Sequence, residues 1–172
     1  MDIPRRKPNR LSDYDYSTNG AYFITICVKD RKPILGTITV GDGAHDVPFG
    51  AYDAPMVALT KIGEIAHKYI LGGNRIPGIS VDKYVIMPDH IHLIVLVDNI
   101  EGGTSRAPSP TNEAIPHFVS TFKRLCHREA GTAIFQRSYY DHVIRNQRDY
   151  DEIWQYIENN PRKWVIQKRG YE

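Results

Sequence analysis

Cysteine is scarce in this sequence: Cys27 and Cys126 are its only two among 172 residues. They lie far apart and match no metal-ligand spacing, so two reduced thiols in a cytoplasmic protein are expected. Long apolar runs are missing too, and the polar N-terminus is not that of a signal peptide. Both absences argue for a soluble chain with no membrane partner. Nor is there an excess of one charge. The 22 Lys and Arg against 20 Asp and Glu leave a formal charge of +2, too small to imply a nucleic-acid partner by itself. There is no internal repeat and no RNP-type aromatic pattern of an RNA-binding sheet. With 41% hydrophobic and 24% charged residues, the composition is ordinary for a globular protein. Residues 1–172 read as one domain with room for a substantial core.

What the chain does have is concentrated in the run MPDHIHLIVLV, residues 87–97. A turn at Pro88-Asp89 feeds a strand in which side chains alternate between faces. His90 and His92 therefore stand side by side, with Ile94 and Leu96 continuing their face. Ile91, Leu93, Val95 and Val97 fill the other. A strand apolar on both faces belongs in the middle of a covered sheet. Two imidazoles at its mouth make a rigid pair of metal ligands; the plainer alternatives are a pair of polar residues at a strand end, or a histidine hydrogen-bonded inside the core. A histidine-triad hydrolase is excluded, because Ile94 occupies the third histidine position.

In chain order, residues 1–20 read as a basic arm, and Ala21 to Lys29 as a strand rich in β-branched and aromatic residues. Asp30 to Pro33 turns the chain, and Ile34 to Val40 is expected to return as a hairpin partner of that strand. Gly41 to Pro55 reads as an insertion. Met56 to Leu71 has helical spacing and ends at Gly72-Gly73. Ile79 to Met87 is a strand joined by Pro88-Asp89 to the histidine strand, an antiparallel hairpin. Glu101 to Asn112 is a Gly/Ser/Pro-rich flexible loop. Ala114 to Ala130 is a helix, with Phe118, Phe122, Leu125 and Cys126 on one side and Lys123, Arg124 and Arg128 away from it. Tyr139 to Arg145 is a short strand, and Asp149 to Asn160 a final helix limited by Pro161. The order strand, helix, strand, strand, helix, strand predicts an α+β fold, a ferredoxin-like antiparallel sheet with helices packed on one face.

On the last helix, Tyr156 and Asn160 are four residues apart and share a face. Alone, a phenol and an amide so placed are ordinary. Yet MPDHIHLIVLV, FQRSYYDHVIRN and IWQYIENNPRKW occur in this order, and together they resemble the single-tyrosine His-hydrophobic-His (HUH) transposases. The resemblance is greatest to the REP-associated tyrosine transposases, relatives of the small insertion-sequence transposases, and covers most of residues 20–165. It implies that His90 and His92 hold Mg²⁺ or Mn²⁺, that Tyr156 is the nucleophile, and that Asn160 completes the metal site. Insertion-sequence relatives often carry glutamine there, and asparagine is one methylene shorter. Glu158 and Asn159 are fallback ligands. Asp89 either orients an imidazole or serves the turn.

The implied activity is metal-dependent cleavage and rejoining of single-stranded DNA near hairpins, through a 5′-phosphotyrosine. A tyrosine phenol, with an ordinary pKa near 10, needs a cation or an acceptor beside it to attack. Tyr139 and Tyr140 are rival nucleophiles. Arg5, Arg6, Lys7, Arg10, Lys123, Arg124 and Arg137 are candidate DNA contacts, with solvated surface as the plain alternative. Gln136 and His142 are either phosphate contacts or surface. The resemblance allows a homodimer or a monomer. Two rival classes stay open: a strand-binding module without cleavage, and a metal-dependent hydrolase of small phosphate esters in which Tyr156 is dispensable.

Overall fold

The structure, a computed structural model, describes residues 18–39, 56–98 and 114–169. Its strands are β1 (Gly20–Cys27), β2 (Gly36–Thr39), β3 (Met56–Leu59), β4 (Ile79–Ile86), β5 (His90–Val97) and β6 (Tyr140–Ile144). Its helices are α1 (Lys61–Gly72), α2 (Ala114–Ala130) and α3 (Gln147–Arg169). The expected basic arm up to residue 17, the insertion at 41–55 and the loop at 101–112 lie outside the described residues.

The main sheet is antiparallel with order β4-β5-β1-β6. Taking β1, α1, β4, β5, α2 and β6 in turn gives the ferredoxin-like connection expected from the sequence. The histidine strand β5 is central, between β4 and β1. One face of the sheet carries Tyr22, Ile24 and Ile26 of β1 with Ile91, Leu93 and Val95 of β5. These close on Ala66 and Ile70 of α1 and on Ile115, Phe118, Phe122 and Cys126 of α2. The opposite face carries Phe23 and Thr25 with His92, and α3 lies over it. Helices α1 and α2 therefore share the core face, while the tyrosine-bearing α3, outside the six-element order, covers the other.

Three expectations are corrected. The segment after β1 does not pair with β1, whose two neighbours are β5 and β6. Instead β2 pairs with β3 in a separate two-stranded sheet. The helix expected from Met56 begins only at Lys61, because Thr60 adopts an extended conformation and its hydroxyl accepts from Gly63 N–H as an N-cap. Just after that cap, α1 runs so close to the chain that a β-carbon on Gly63 would lie 1.9 Å from the Leu35 carbonyl oxygen. Finally, α3 does not stop before Pro161 but runs to Arg169. Ile157 and Val165, both buried, anchor it on either side of the proline, and that packing outweighs the missing N–H.

A β-bulge in β4 decides how α3 docks. Val81 pairs with Val95 and Lys83 with Ile94, so Asp82 is the extra residue. The bulge switches parity. Ile79 and Val81 face the core before it, and Tyr84 and Ile86 after it. Lys83 is thereby turned toward α3, where it pairs with Glu158 and sits 3.9 Å from the Trp154 ring centroid. The bulged Asp82 accepts from Tyr150 Oη. At its start α3 is capped by Asn146, which accepts from Asp149 N–H, while the Asp149 carboxylate accepts from Arg145 N–H and bonds His142. His142 is thus engaged at the helix start.

Candidate active site

His90 and His92 are buried, 7% and 5% exposed, at the head of β5. Each ring is fixed through Nδ1. The His90 nitrogen lies 2.5 Å from Asp89 Oδ1, and the His92 nitrogen 2.9 Å from Thr25 Oγ1, on the neighbouring strand. Asp89 serves the turn as well, its carbonyl accepting from Val28 N–H. Phe23 stacks on His92 at 5.2 Å between centroids. With the Nδ1 atoms taken, both Nε2 atoms turn to one point and stand 3.0 Å apart.

Burial, reinforced by the charges of His90 and Arg31, pulls His92 down to about 3. Burial lowers His90 too, against the opposing pull of its bond to Asp89. Both rings are therefore neutral at ordinary pH, the form that ligates metal. This donor set fits a divalent ion. Two nitrogens each about 2.1 Å from one ion and at right angles lie about 3.0 Å apart, the separation found here. Among the described residues, no group of three His, Cys, Asp or Glu side chains converges. The available third protein donor is the Asn160 amide, 7% exposed and hydrogen-bonded to His90.

Tyr156 completes the arrangement. Its Oη lies 3.4 Å from His92 Nε2, its ring packs edge-on to Phe23, and Lys163 Nζ sits 4.9 Å from its ring centroid. These groups open on a cleft of about 630 Å³ lined by the histidine pair, Tyr156 and Asn160. Thr25, Cys27, Arg31, Gln136 and Tyr140 line its sheet side, and Lys163, Trp164 and Gln167 the part of α3 beyond Pro161. No carboxylate is among these lining residues, whereas two cations are. The cleft suits an anion.

The structure thus brings together His90, His92, Tyr156 and Asn160, and sets Tyr140 in the same cleft. Glu158 and Asn159 are not brought in: the first pairs with Lys83 and the second donates to the Gln155 carbonyl. Tyr139 is buried and outside the cleft lining. Lys123, expected at the surface, is buried, and its ammonium donates to the carbonyls of Gln136, Arg137 and Ser138 at 2.8, 3.2 and 2.9 Å. Burial pulls it down to about 8. Its charge holds the segment before β6 rather than facing solvent. Arg124 is exposed on α2, across the sheet from the cleft, and Arg137 is exposed beside Gln136. Arg5, Arg6, Lys7 and Arg10 lie outside the described residues. Sequence reasoning missed Thr25, Arg31, Lys163 and Trp164. Lys163 was within reach, being seven residues beyond Tyr156 and so on its face.

An antiparallel α+β sheet carrying a His-hydrophobic-His pair under a tyrosine helix is the arrangement that the sequence resemblance leads one to expect. No protein-family model matches the chain. It is 29% identical over 177 residues to an uncharacterized protein of Haemophilus influenzae, covering 94% of this chain and 91% of the relative. It is 24% identical over 161 residues to a protein of the same organism named "Putative REP-associated tyrosine transposase", covering 89% and 77%. Among solved structures, a REP-associated tyrosine transposase bound to a REP hairpin shares the fold, with a TM-score of 0.58 and 20% identity over 89% of this chain and 74% of that one. The resemblance to the REP-associated tyrosine transposases is borne out in sequence by the second relative and in fold by the solved structure.

Proposed function

We propose that this protein is a metal-dependent single-strand DNA endonuclease and strand transferase, a transposase acting near hairpins of a repeated palindrome. One observation carries the reading: the Tyr156 hydroxyl lies 3.4 Å from an imidazole nitrogen that itself stands 3.0 Å from its twin, in a cleft lined without a carboxylate. The REP hairpin held by the solved relative supports hairpin DNA as the substrate. No helix among the described residues is long and apolar enough to cross a membrane, and the cytoplasm, where DNA is accessible, is the proposed compartment.

His90, His92 and Asn160 would hold Mg²⁺ or Mn²⁺. When bound, the ion polarises a phosphoryl oxygen and neutralises charge on the phosphate. Asp89 and Thr25 fix the two rings so that both Nε2 atoms stay aimed at that point. Tyr156 attacks phosphorus: the Oη–P bond forms and the P–O3′ bond breaks. The phenol gives up its proton and the departing 3′ oxygen takes one up. The 5′-phosphotyrosine retains the energy of the original diester, so a 3′-hydroxyl can reverse the step without ATP. Phe23, stacked on His92 and edge-on to Tyr156, limits the motion of both.

The test uses labelled hairpin oligonucleotides drawn from repeats flanking the gene, incubated with Mg²⁺ or Mn²⁺ and run on a denaturing protein gel. A covalent adduct is expected, lost with EDTA and lost with Tyr156→Phe. An adduct surviving Tyr156→Phe would move the nucleophile, with Tyr140 next in line. Binding of the correct element without any adduct would leave a strand-binding module.

A further inference from the structure

Arg31 stands in the turn after β1, and that turn is strained. Asp30 and Arg31 both have left-handed backbone conformations, φ 58° and 54°, which an L-residue adopts only against steric resistance from its β-carbon. Glycine would occupy either position freely. The turn is held nonetheless by backbone bonds from Arg31 N–H to the Val28 carbonyl, and from Val28 and Leu35 N–H to the carbonyls of Asp89 and Pro88. Strain kept in place by its surroundings marks a side chain whose direction matters.

That direction is into the cleft. Arg31 Nη1 donates to Cys27 Sγ at 3.0 Å, and Nε lies 3.2 Å from Asp89 Oδ2. Asp89 is the carboxylate whose other oxygen fixes His90. The guanidinium is thus oriented from two sides. Of its five N–H donors, these contacts use two; among the described residues the others have no protein partner. The side chain is 52% exposed and lines the cleft. A planar, permanently charged fork with donors turned to a carboxylate-free cleft is suited to phosphate oxygens.

We infer that Arg31 forms a phosphate subsite of the cleft, its guanidinium contacting a non-bridging oxygen of the phosphodiester that Tyr156 attacks. The inference rests on the proposed tyrosine chemistry for which phosphate is bound, but not for the binding itself. The simpler role, neutralising Asp89 so that it positions His90, predicts different behaviour. A contact to the phosphate charge is worth nothing where that charge is absent; a positioning role is indifferent to it.

Two measurements separate these roles, both on the full chain with the hairpin oligonucleotide. In EDTA, fluorescence anisotropy across a salt series reads binding alone. Arg31→Ala should weaken binding and lower the slope of log affinity against log salt by about 0.7, one phosphate on a single strand. With metal, Arg31→Ala should slow adduct formation about 100-fold or more on the ordinary diester, the loss typical of one preorganised donor. On an oligonucleotide carrying a single methylphosphonate at the scissile linkage, where one charged oxygen is replaced by methyl, most of that deficit should vanish. An equal deficit on both linkages with an unchanged salt slope would assign Arg31 to positioning and overturn the subsite. If wild-type protein forms no adduct yet Arg31→Ala still lowers the slope, the subsite stands and the transposase reading fails. If wild-type protein cleaves and neither readout moves, the subsite fails alone.

Discussion

At the level of single residues, the site is an exercise in fixing neutral imidazoles. Burial holds His92 at about 3, against 6.5 for a free ring. The unfolded chain therefore binds a proton below about pH 6.5 that the folded chain refuses until about pH 3. Stability from this group is complete above pH 6.5 and drains away as the pH falls toward 3. Urea midpoints in EDTA should fall between about pH 7 and about pH 4, and His92→Gln should flatten that slope. A slope unchanged in the variant would mean that His92 titrates normally. Lys123 is a second buried polar residue. Replacing it by methionine keeps the stem but strands the carbonyls of Gln136, Arg137 and Ser138. Lys123→Met should cost about 1–3 kcal/mol in chemical denaturation; a neutral outcome would show that water takes over those carbonyls.

At the level of elements, α3 does two jobs: it carries Tyr156 and Asn160, and beyond Pro161 it builds the far wall of the cleft. Proline inside a helix removes the N–H owed to the carbonyl four residues back and crowds it, at about 3 kcal/mol. Pro161→Ala should therefore raise the denaturation midpoint while slowing adduct formation, because Asn160, next to the proline, shifts against His90. A variant no more stable than wild type would show that the helix bears no strain there. The proline also explains why the helix end was misread from sequence. Local rules stop a helix before proline, and only the burial of Val165 beyond it shows that packing prevails. The bulge in β4 is absent from the sequence reading of a plain strand, although it leaves a trace there. The apolar positions Ile79 and Val81 are odd and Tyr84 and Ile86 are even, and such a parity change within one strand signals an extra residue. By contrast, nothing local in residues 34–40 and 56–59 could assign β2 to β3 rather than to β1, since both partners satisfy the same propensities.

At the level of the whole molecule, the ferredoxin-like order was legible because each strand and helix carries its own period, and because β5, apolar on both faces, had to be central. The histidine pair was legible from spacing, whereas Tyr156 and Asn160 were singled out only by the family resemblance. Thr25 and Arg31 were not legible, since they reach the site only through register: Thr25 pairs with His92 across 67 residues of sequence. The assembled site lies within one chain, with Tyr156 beside His92 of the same protomer. Mixing inactive His92→Ala with inactive Tyr156→Phe should therefore restore no adduct formation. Recovered activity in the mixture would require a dimer that exchanges its tyrosine helices.

The two faces of β5 also differ in what a substitution there threatens. Ile91, Leu93 and Val95 sit in the core, so changes there threaten the existence of the protein. His90 and His92 lie outside that cluster, so under the proposed function a single codon change there would end cleavage in a protein that still folds and still binds DNA. A genome harmed by strand breakage but served by the bound protein has a short mutational route to a tame version. Its trace would be variation at positions 90 and 92 beside constancy at Ile91, Leu93 and Val95.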